Sequence, residues 1–281
     1  MYRILEKHEL APEVHEYVIE APEIARAARP GQFIVLRLHE RGERIPLTIA
    51  DADPQTGGVT IVVQEVGKTT REMGDRFAAG DEILDFVGPL GRPSEIENFG
   101  TVICVGGGLG IAPVYPIARA LRKAGNTVIG IIGARTEDLL FYIDRMEGAC
   151  DELIVTTDDG SYGRKGFTSD PLTEILASGR KVDRAVAIGP AVMMKACAEV
   201  TRPFKVPTMV SLDSIMIDGT GMCGGCRVEV GGETKFACVD GPEFDGHKVN
   251  FDLLISRQRF YVEEERCALE RYLKERQGTV G

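Results

Sequence analysis

The stretch from Asn98 to Ala118, NFGTVICVGGGLGIAPVYPIA, has no charged residue over 21 positions, and it sets the tightest limit on what this chain can fold into. A run of that length is long enough to cross a bilayer. It also holds five glycines between Gly100 and Gly110 and two prolines, Pro113 and Pro116, so it reads better as strand, glycine turn and helix start. The same rhythm continues downstream: NTVIGIIGA precedes TEDLLFYIDRME, DELIVTTDDG precedes DPLTEILASG, and RAVAIG precedes PAVMMKACAEV. Strand-and-helix alternation throughout residues 98–210 predicts a parallel α/β nucleotide-binding domain.

Residues 1–97 have a different texture. Short β-rich runs, EVHEYVIEA, GQFIVLRLH, GGVTIVVQEV and DEILDFVGPLG, are separated by turn residues, as in a small antiparallel barrel. Near Ser211 the α/β pattern breaks into a cysteine-bearing segment, residues 211–250. Residues 251–281 follow, where Val262, Leu269 and Leu273 at helical spacing predict one amphipathic terminal helix. The expected fold is therefore a β-barrel plus an α/β domain, followed by a small cysteine segment and a helix.

A net charge of −10 argues against a nucleic-acid-binding surface, which needs a basic face. Charges at Arg3, Glu6, Lys7 and Glu9 break any signal-peptide core, so a cytoplasmic protein without a membrane segment is expected. Seven cysteines, an odd number, do not suit a disulfide framework in a reducing compartment. Cys104, Cys150, Cys197 and Cys267 are isolated and read as small apolar residues, which leaves Cys223, Cys226 and Cys238 as a set.

The turn CVGGGLGIAP offers unpaired backbone N–H groups and a helix dipole to a dinucleotide's pyrophosphate. Gly107, Gly108, Leu109, Gly110, Ala112 and Pro113 are the candidate contacts, with Pro113 suited to a first helical turn. The spacing departs from G-x-G-x-x-G, because Ile111 stands where a third glycine is expected. The next strand ends in Arg135 rather than an acidic residue; this arginine suits a 2′-phosphate or is an ordinary surface residue. In TTDDGSYGRKG, Asp158 and Asp159 are candidates for a ribose, and a polar turn is the alternative. Gly189 and Met193 in IGPAVMMKA are candidates to approach a nicotinamide, or else core residues.

Asp218, Cys223, Cys226 and Cys238 have the spacing D-x4-C-x2-C-x11-C. The plant-type iron-sulfur pattern is C-x4-C-x2-C with a distant fourth cysteine, so this chain matches it with aspartate first. Glycines at 219, 221, 224 and 225 allow the loop to wrap a 2Fe-2S cluster and aim N–H groups at its sulfurs. Zinc is the alternative, although only one C-x2-C knuckle exists and the nearest histidine is His247. Taken alone, these residues leave open a zinc-stabilised, non-redox nucleotide-binding module.

A barrel, a domain with GLGIAP and a plant-type cluster segment, in that order, resemble the ferredoxin-NADP reductase superfamily. The likeness is to its branch of electron-transfer subunits, found in dihydroorotate dehydrogenase, sulfide dehydrogenase and NADH-dependent ferredoxin:NADP oxidoreductase. RIPLTIAD resembles the flavin motif, which places Arg44 at the FAD pyrophosphate, Pro46, Leu47 and Thr48 along the isoalloxazine, and Thr48 near N5 as the catalytic candidate. Many relatives carry tyrosine where this chain has Pro46, so that stacking is absent. VGKTTREM resembles the second flavin segment, in which Gly67, Lys68, Thr69 and Thr70 offer backbone and side-chain donors to phosphate.

The resemblance implies FAD, a 2Fe-2S cluster and NAD(H), with NADP(H) as the alternative nucleotide. It also implies hydride exchange between nicotinamide and flavin. Aspartate at 218 resembles the ferredoxin:NADP oxidoreductase small subunits, whereas dihydroorotate dehydrogenase subunits carry cysteine there. That likeness implies flavin-based electron bifurcation, a larger glutamate-synthase-like flavoprotein partner with its own iron-sulfur clusters, and ferredoxin served through the complex. A dihydroorotate dehydrogenase electron-transfer subunit is the alternative.

Overall fold

Charged and apolar residues mix along β1 (Tyr2–Ala11), which buries only Ile4 and Ala11 and leaves Arg3, Glu6, His8 and Glu9 in solvent. The computed structural model describes residues 1–278 and places this strand, absent from the sequence expectation, ahead of β2 (Val14–Glu20). After a short α1 (Pro22–Ala27) come β3 (Phe33–Arg37), β4 (Ile45–Asp53) and β5 (Gly58–Gln64). Next are α2 (Lys68–Arg76), β6 (Glu82–Ile83) and β7 (Asp85–Leu90). The antiparallel order is β6-β1-β2-β5-β4-β3-β7.

The segment 82–90 all but closes this sheet. Its first half pairs with β1 and its second with β3, while the N–H of Leu84 between them donates to the carbonyls of Arg37 and Leu38. Inside lie Tyr17, Ile34, Leu36, Ile61, Met73 and Phe86, all fully buried. Tyr17 satisfies its hydroxyl by donating to the Met73 carbonyl at 3.1 Å, as a buried phenol must.

The second sheet is built on β8 (Thr101–Gly107), whose uninterrupted apolar run is buried on both faces, as a central parallel strand requires. Its elements in chain order are α3 (Ile111–Lys123), β9 (Thr127–Ala134), α4 (Ile143–Ala149), β10 (Glu152–Thr157) and β11 (Arg164–Lys165). Then follow α5 (Ser169–Ala177), β12 (Arg184–Ile188), α6 (Ala191–Thr201) and β13 (Thr208–Ser211). The strand order β11-β10-β9-β8-β12-β13 reverses direction of growth between β8 and β12. A crevice at the carboxyl ends of the strands on either side of such a switch is where open α/β sheets bind ligands.

The cysteine segment forms a ribbon of β14 (Arg227–Val230) and β15 (Glu233–Phe236), a short α7 (Ala237–Asp240), and β16 (Glu243–Asp245). β16 pairs antiparallel with β13, so residues 211–250 complete the edge of the nucleotide sheet. Packing joins the regions further. Phe33 and Val35 of the barrel share a core with Cys226, Val228 and Cys238, while Ala11, Val14, Ala50 and Val62 share one with α3.

The tail differs from the single helix expected. It is α8 (Phe251–Gln258) followed by α9 (Val262–Gly278), interrupted at Arg259–Tyr261. Val262 and Leu273 are exposed, and Tyr272 is the buried anchor instead. Its hydroxyl donates to Asp75 on α2, Arg276 also pairs with Asp75, and the Arg76 guanidinium covers its ring. The final helix thus returns to the barrel.

Candidate functional site

One cleft of about 1150 Å3 runs between the barrel and the carboxyl ends of the parallel strands. On the barrel side β4 supplies Pro46, Leu47 and Thr48. These residues pair with β3 through Val35, Ile34 and Phe33, but β4 joins β5 only from Ile49 onward. The splayed half of β4 therefore keeps one backbone edge free, which also explains why a proline is tolerated there. Phe33, Val62 and Gln64 flank this edge.

The GKTT segment is the start of α2, with Gly67 in the capping position. The Thr70 hydroxyl accepts from the N–H groups of Val66 and Gly67 at 3.1 and 3.0 Å and donates to the Gly67 carbonyl. Thr69 is buried, and its hydroxyl donates to Glu43 at 2.6 Å. In this arrangement both hydroxyls are engaged within the protein. What remains is the helix terminus, whose first N–H groups, at Lys68, Thr69 and Thr70, lack intrahelical acceptors. Thr70 borders the cleft, while Arg44, Gly67, Lys68 and Thr69 do not line it. Arg44 is exposed.

On the opposite wall β8 runs into a single tight turn, Gly108–Gly110, and then α3. Gly108 has φ +54°, a left-handed conformation that glycine adopts without strain. A Cβ on Gly110 would stand 2.1 Å from the Ile188 carbonyl oxygen, and one on Gly107 would meet the Met193 sulfur at 2.2 Å. These two glycines thus let β8, α3 and β12 approach one another, a packing requirement beyond the phosphate argument. Leu109, Ala112 and Pro113 complete the wall, and Gly189 and Met193 sit across the β8–β12 switch.

Arg135 and Asp158 line the outer end of the cleft and are exposed. Asp159 does not line it. Its carboxylate accepts from Ser161 N at 2.9 Å and from Ser161 Oγ at 2.6 Å, and these bonds hold it below the usual carboxylate range. Ser161 Oγ in turn accepts from the Glu137 N–H, so Asp159 secures a turn. The cleft also takes Ser211 and Asp213 from the end of β13, and Phe141 and Phe167, none of which the sequence pattern singled out.

The cysteine loop rests directly on the barrel. A Cβ on Gly219 (φ +73°) would press on Leu90 and Val35 at 2.9 and 3.0 Å, next to the strand that carries Pro46. Cys226 and Cys238 are buried with their sulfurs 3.2 Å apart, whereas Cys223 is exposed. Backbone N–H groups approach two sulfurs: Gly225 N lies 3.4 Å from Cys223 Sγ, and Cys238 N lies 3.5 Å from Cys226 Sγ. Asp218 accepts from Thr220 N on one oxygen and from Met222 N and Cys223 N on the other, at 2.9 to 3.1 Å. Those bonds, led by the Thr220 N–H, lower its carboxyl.

Among the described residues no three His, Cys, Asp or Glu side chains share a metal-sized shell. Cys226 and Cys238 are brought together, while Asp218 is turned to the loop backbone. Burial, with the neighbouring Cys226, pushes the Cys238 thiol up to about 12, so a bound cation is what would make it a thiolate. Two sulfurs on a glycine loop and a third on α7, with N–H groups aimed at two of them, suit an iron-sulfur group. His247, the only histidine near in sequence, has Nε2 2.9 Å from Thr201 Oγ1 at the end of α6, and among the described residues it gathers with no group of three potential metal ligands.

Residues 213–250 match the family model described as the iron-sulfur cluster binding domain of dihydroorotate dehydrogenase B. A Thermotoga maritima protein named as a homolog of the dihydroorotate dehydrogenase B (NAD(+)) electron transfer subunit is 52% identical over 96% of this chain and 95% of its own. The chain belongs to the family of dihydroorotate dehydrogenase B electron-transfer subunits.

A structure of the NADH-dependent reduced ferredoxin-NADP oxidoreductase, described in terms of flavin-based electron bifurcation, covers 97% of this electron-transfer subunit and 98% of the compared chain. The two share 51% identity with a TM-score of 0.92. An Amycolatopsis cytochrome P450 reductase, 24% identical over 73% of this chain and 65% of its own with a TM-score of 0.62, shares the fold. The barrel, parallel sheet and cluster domain are thus the ferredoxin-NADP reductase architecture expected from sequence, and the subunit is an oxidoreductase component that transfers electrons. Among the described residues no helix of the subunit is long and apolar enough to cross a membrane.

Proposed function

We propose that this subunit exchanges hydride between NADH and FAD and passes electrons by way of a 2Fe-2S cluster to a larger partner flavoprotein. The observation that carries this reading is the single cleft in which the open edge of β4 faces the glycine turn, with the cysteine loop packed behind β3. When bound, FAD supplies the chemistry of taking up a hydride and releasing electrons singly. The chain's part is to hold and align.

Pro46, Leu47 and Thr48 present backbone to the isoalloxazine, and the N-terminus of α2, with Arg44 and Lys68, serves the FAD pyrophosphate. Gly107 to Gly110 and the start of α3 take the second pyrophosphate. Asp158 takes the ribose hydroxyls, and a free carboxylate there disfavours a 2′-phosphate. Gly189 and Met193 flank the nicotinamide. Cys223, Cys226, Cys238 and Asp218 hold the cluster, which requires Asp218 to exchange some loop bonds for a metal bond. In this reading residues 1–97 are the flavin module, 98–210 the nucleotide module, 211–250 the cluster module and 251–281 the tail.

The likeness to the NADH-dependent ferredoxin-NADP oxidoreductase, together with aspartate at 218, supports a large glutamate-synthase-like flavoprotein partner, bifurcation and service to ferredoxin. The family's naming supports a second reading, delivery to a dihydroorotate dehydrogenase catalytic subunit. Anaerobic visible spectra with iron and sulfide analysis, titrated with NADH and then NADPH, test the cofactors. Flavin and cluster absorbance bleached by NADH is the expected result; a colourless or NADH-inert protein overturns it. The partner that co-purifies from the native host separates the two readings: a large multi-cluster flavoprotein or a small flavin barrel enzyme.

A further inference from the structure

Two arginines cross from the nucleotide wall to the barrel, and each grips one carboxylate with two bonds. Arg119 on α3 donates to both oxygens of Asp51 on β4, at 2.9 and 2.5 Å. Arg145 on α4 donates to both oxygens of Glu16 on β2, at 2.7 and 3.0 Å. Glu16 is only 4% exposed, and it also accepts from the Tyr142 hydroxyl. The Arg145 guanidinium lies 4.1 Å above the Tyr142 ring, and Tyr115 meets that ring edge-on at 5.7 Å. Arg119 lies 5.0 Å above Tyr115. The contacts thus form one continuous chain, Glu16–Arg145–Tyr142–Tyr115–Arg119–Asp51, that begins and ends on the barrel.

Tyr142 has φ +59°, a left-handed backbone that a bulky aromatic residue rarely adopts. Strain of this kind persists where the surroundings over-determine it. Here they do, because Tyr142 is held by Glu16, Arg145, Tyr115 and Phe141 together. Tyr142, Glu16 and Tyr115 also adjoin the cleft. Phe141 lines it beside Tyr142, Val14 lines it on the same face of β2 as Glu16, and Ala112 and Pro113 line it one turn ahead of Tyr115.

The apolar contact of Ala11, Val14, Ala50 and Val62 with α3 is enough to keep the two walls together, but apolar packing has no direction. Bidentate arginine–carboxylate pairs do. We infer that this chain of contacts is an interdomain clamp that fixes the angle at which the nucleotide wall faces the flavin wall, with Tyr142 as its positioning residue. The inference rests on the hydride-exchange reading, since that reaction depends on alignment across the two walls.

The test uses the full-length, cofactor-loaded protein in anaerobic stopped-flow reduction by NADH, with limiting rate and apparent Kd resolved separately. Tyr142→Phe removes only the hydroxyl, Arg145→Gln removes the grip, and Arg145→Lys restores part of it. Arg180→Gln, which breaks an ion pair with Glu152 remote from the cleft, is the control. Limiting rates should fall about tenfold in Tyr142→Phe and by as much as about a hundredfold in Arg145→Gln, as for small misalignments of reacting groups. Apparent Kd and FAD content should stay unchanged, and Arg145→Lys should lie between. Amide hydrogen exchange should rise in residues 139–145 and in β2 without a rise in β3 and β7.

Unchanged limiting rates in the variants, even with lowered melting temperatures, overturn the clamp and leave a structural contact. Tyr142→Phe decides alone should Arg145→Gln fail to fold. A wild-type flavin that NADH does not reduce overturns the hydride reading itself, a result visible before any variant is measured.

Discussion

The glycine turn and the cysteine loop are both glycine-rich, yet they are built on opposite terms. The turn at Gly107–Gly110 is fixed by its neighbours: a strand delivers it, a helix leaves it, and Ile188 and Met193 close on it from β12 and α6. In the proposed reading its working groups are backbone N–H groups already in position. The cysteine loop has its candidate groups on side chains: the Cys226 and Cys238 sulfurs touch, and Asp218 satisfies the loop's own N–H groups. A backbone site is complete once the fold is complete. A side-chain site is completed by what it holds.

The sharpest way to break this contrast is Cys226→Ser. It should remove nearly all iron, read as iron and sulfide per chain, while FAD content and the far-UV spectrum stay close to wild type. Asp218→Ala should have almost as large an effect, because it takes away both the carboxylate and the acceptor of three N–H groups. Asp218→Asn should keep the loop better ordered but still lose iron, and normal cluster absorbance in it would assign the fourth ligand elsewhere.

Gly110→Ala should act next most strongly, and on the other site. Its Cβ meets backbone, so the turn must move, at a cost of about 1–3 kcal/mol in denaturant melts. NADH affinity by calorimetry should fall, with iron content unchanged. If iron fell too, the two sites would not be independent.

Glu243 supplies a smaller, pH-dependent effect at the junction of the sheets. Burial raises its carboxyl above the ordinary range, although it accepts from the Ser94 hydroxyl and feels Arg184. The folded protein therefore keeps a proton that the unfolded chain releases. Its contribution to stability is complete below the ordinary glutamate range and is lost as pH rises through the raised value. Glu243→Gln should be more stable than wild type near about pH 7, with the difference shrinking toward about pH 4. A constant difference in melting temperature across that range would exclude the titration. The smallest effect belongs to Arg276→Gln: Arg276 is exposed and Asp75 keeps Tyr272 and Arg71 as partners, so the change is worth under about 1 kcal/mol in urea melts, with both cofactor sites untouched.

What the sequence revealed, and what it hid, divides along similar lines. β8 and the glycine turn were readable because a buried parallel strand, a turn and a helix each leave a compositional mark over consecutive residues. β1 was not, because a half-exposed strand rich in Arg, Glu, Lys and His lacks a clean period-two pattern. β13 is only four residues long and went unread at the boundary where the α/β pattern breaks off, and with it the placement of Ser211 and Asp213 in the cleft. The spacing of Asp218 suggested iron, but no spacing rule reports that its oxygens face Thr220, Met222 and Cys223 N–H groups. Glu16 and Tyr142 stand 126 positions apart, and only the tertiary fold makes them partners.

The pairing of β16 with β13 bears on how such modules can be exchanged. Residues 213–250 look portable by sequence, a self-contained cassette between a nucleotide domain and a tail. A graft of that cassette would nonetheless carry off the edge strand of its donor's sheet and arrive in its host with one strand in need of a neighbour. Successful transplants should therefore be confined to recipients that offer an open strand in the place of Thr208–Ser211, and a donor left without the cassette should expose a sticky sheet margin prone to self-association.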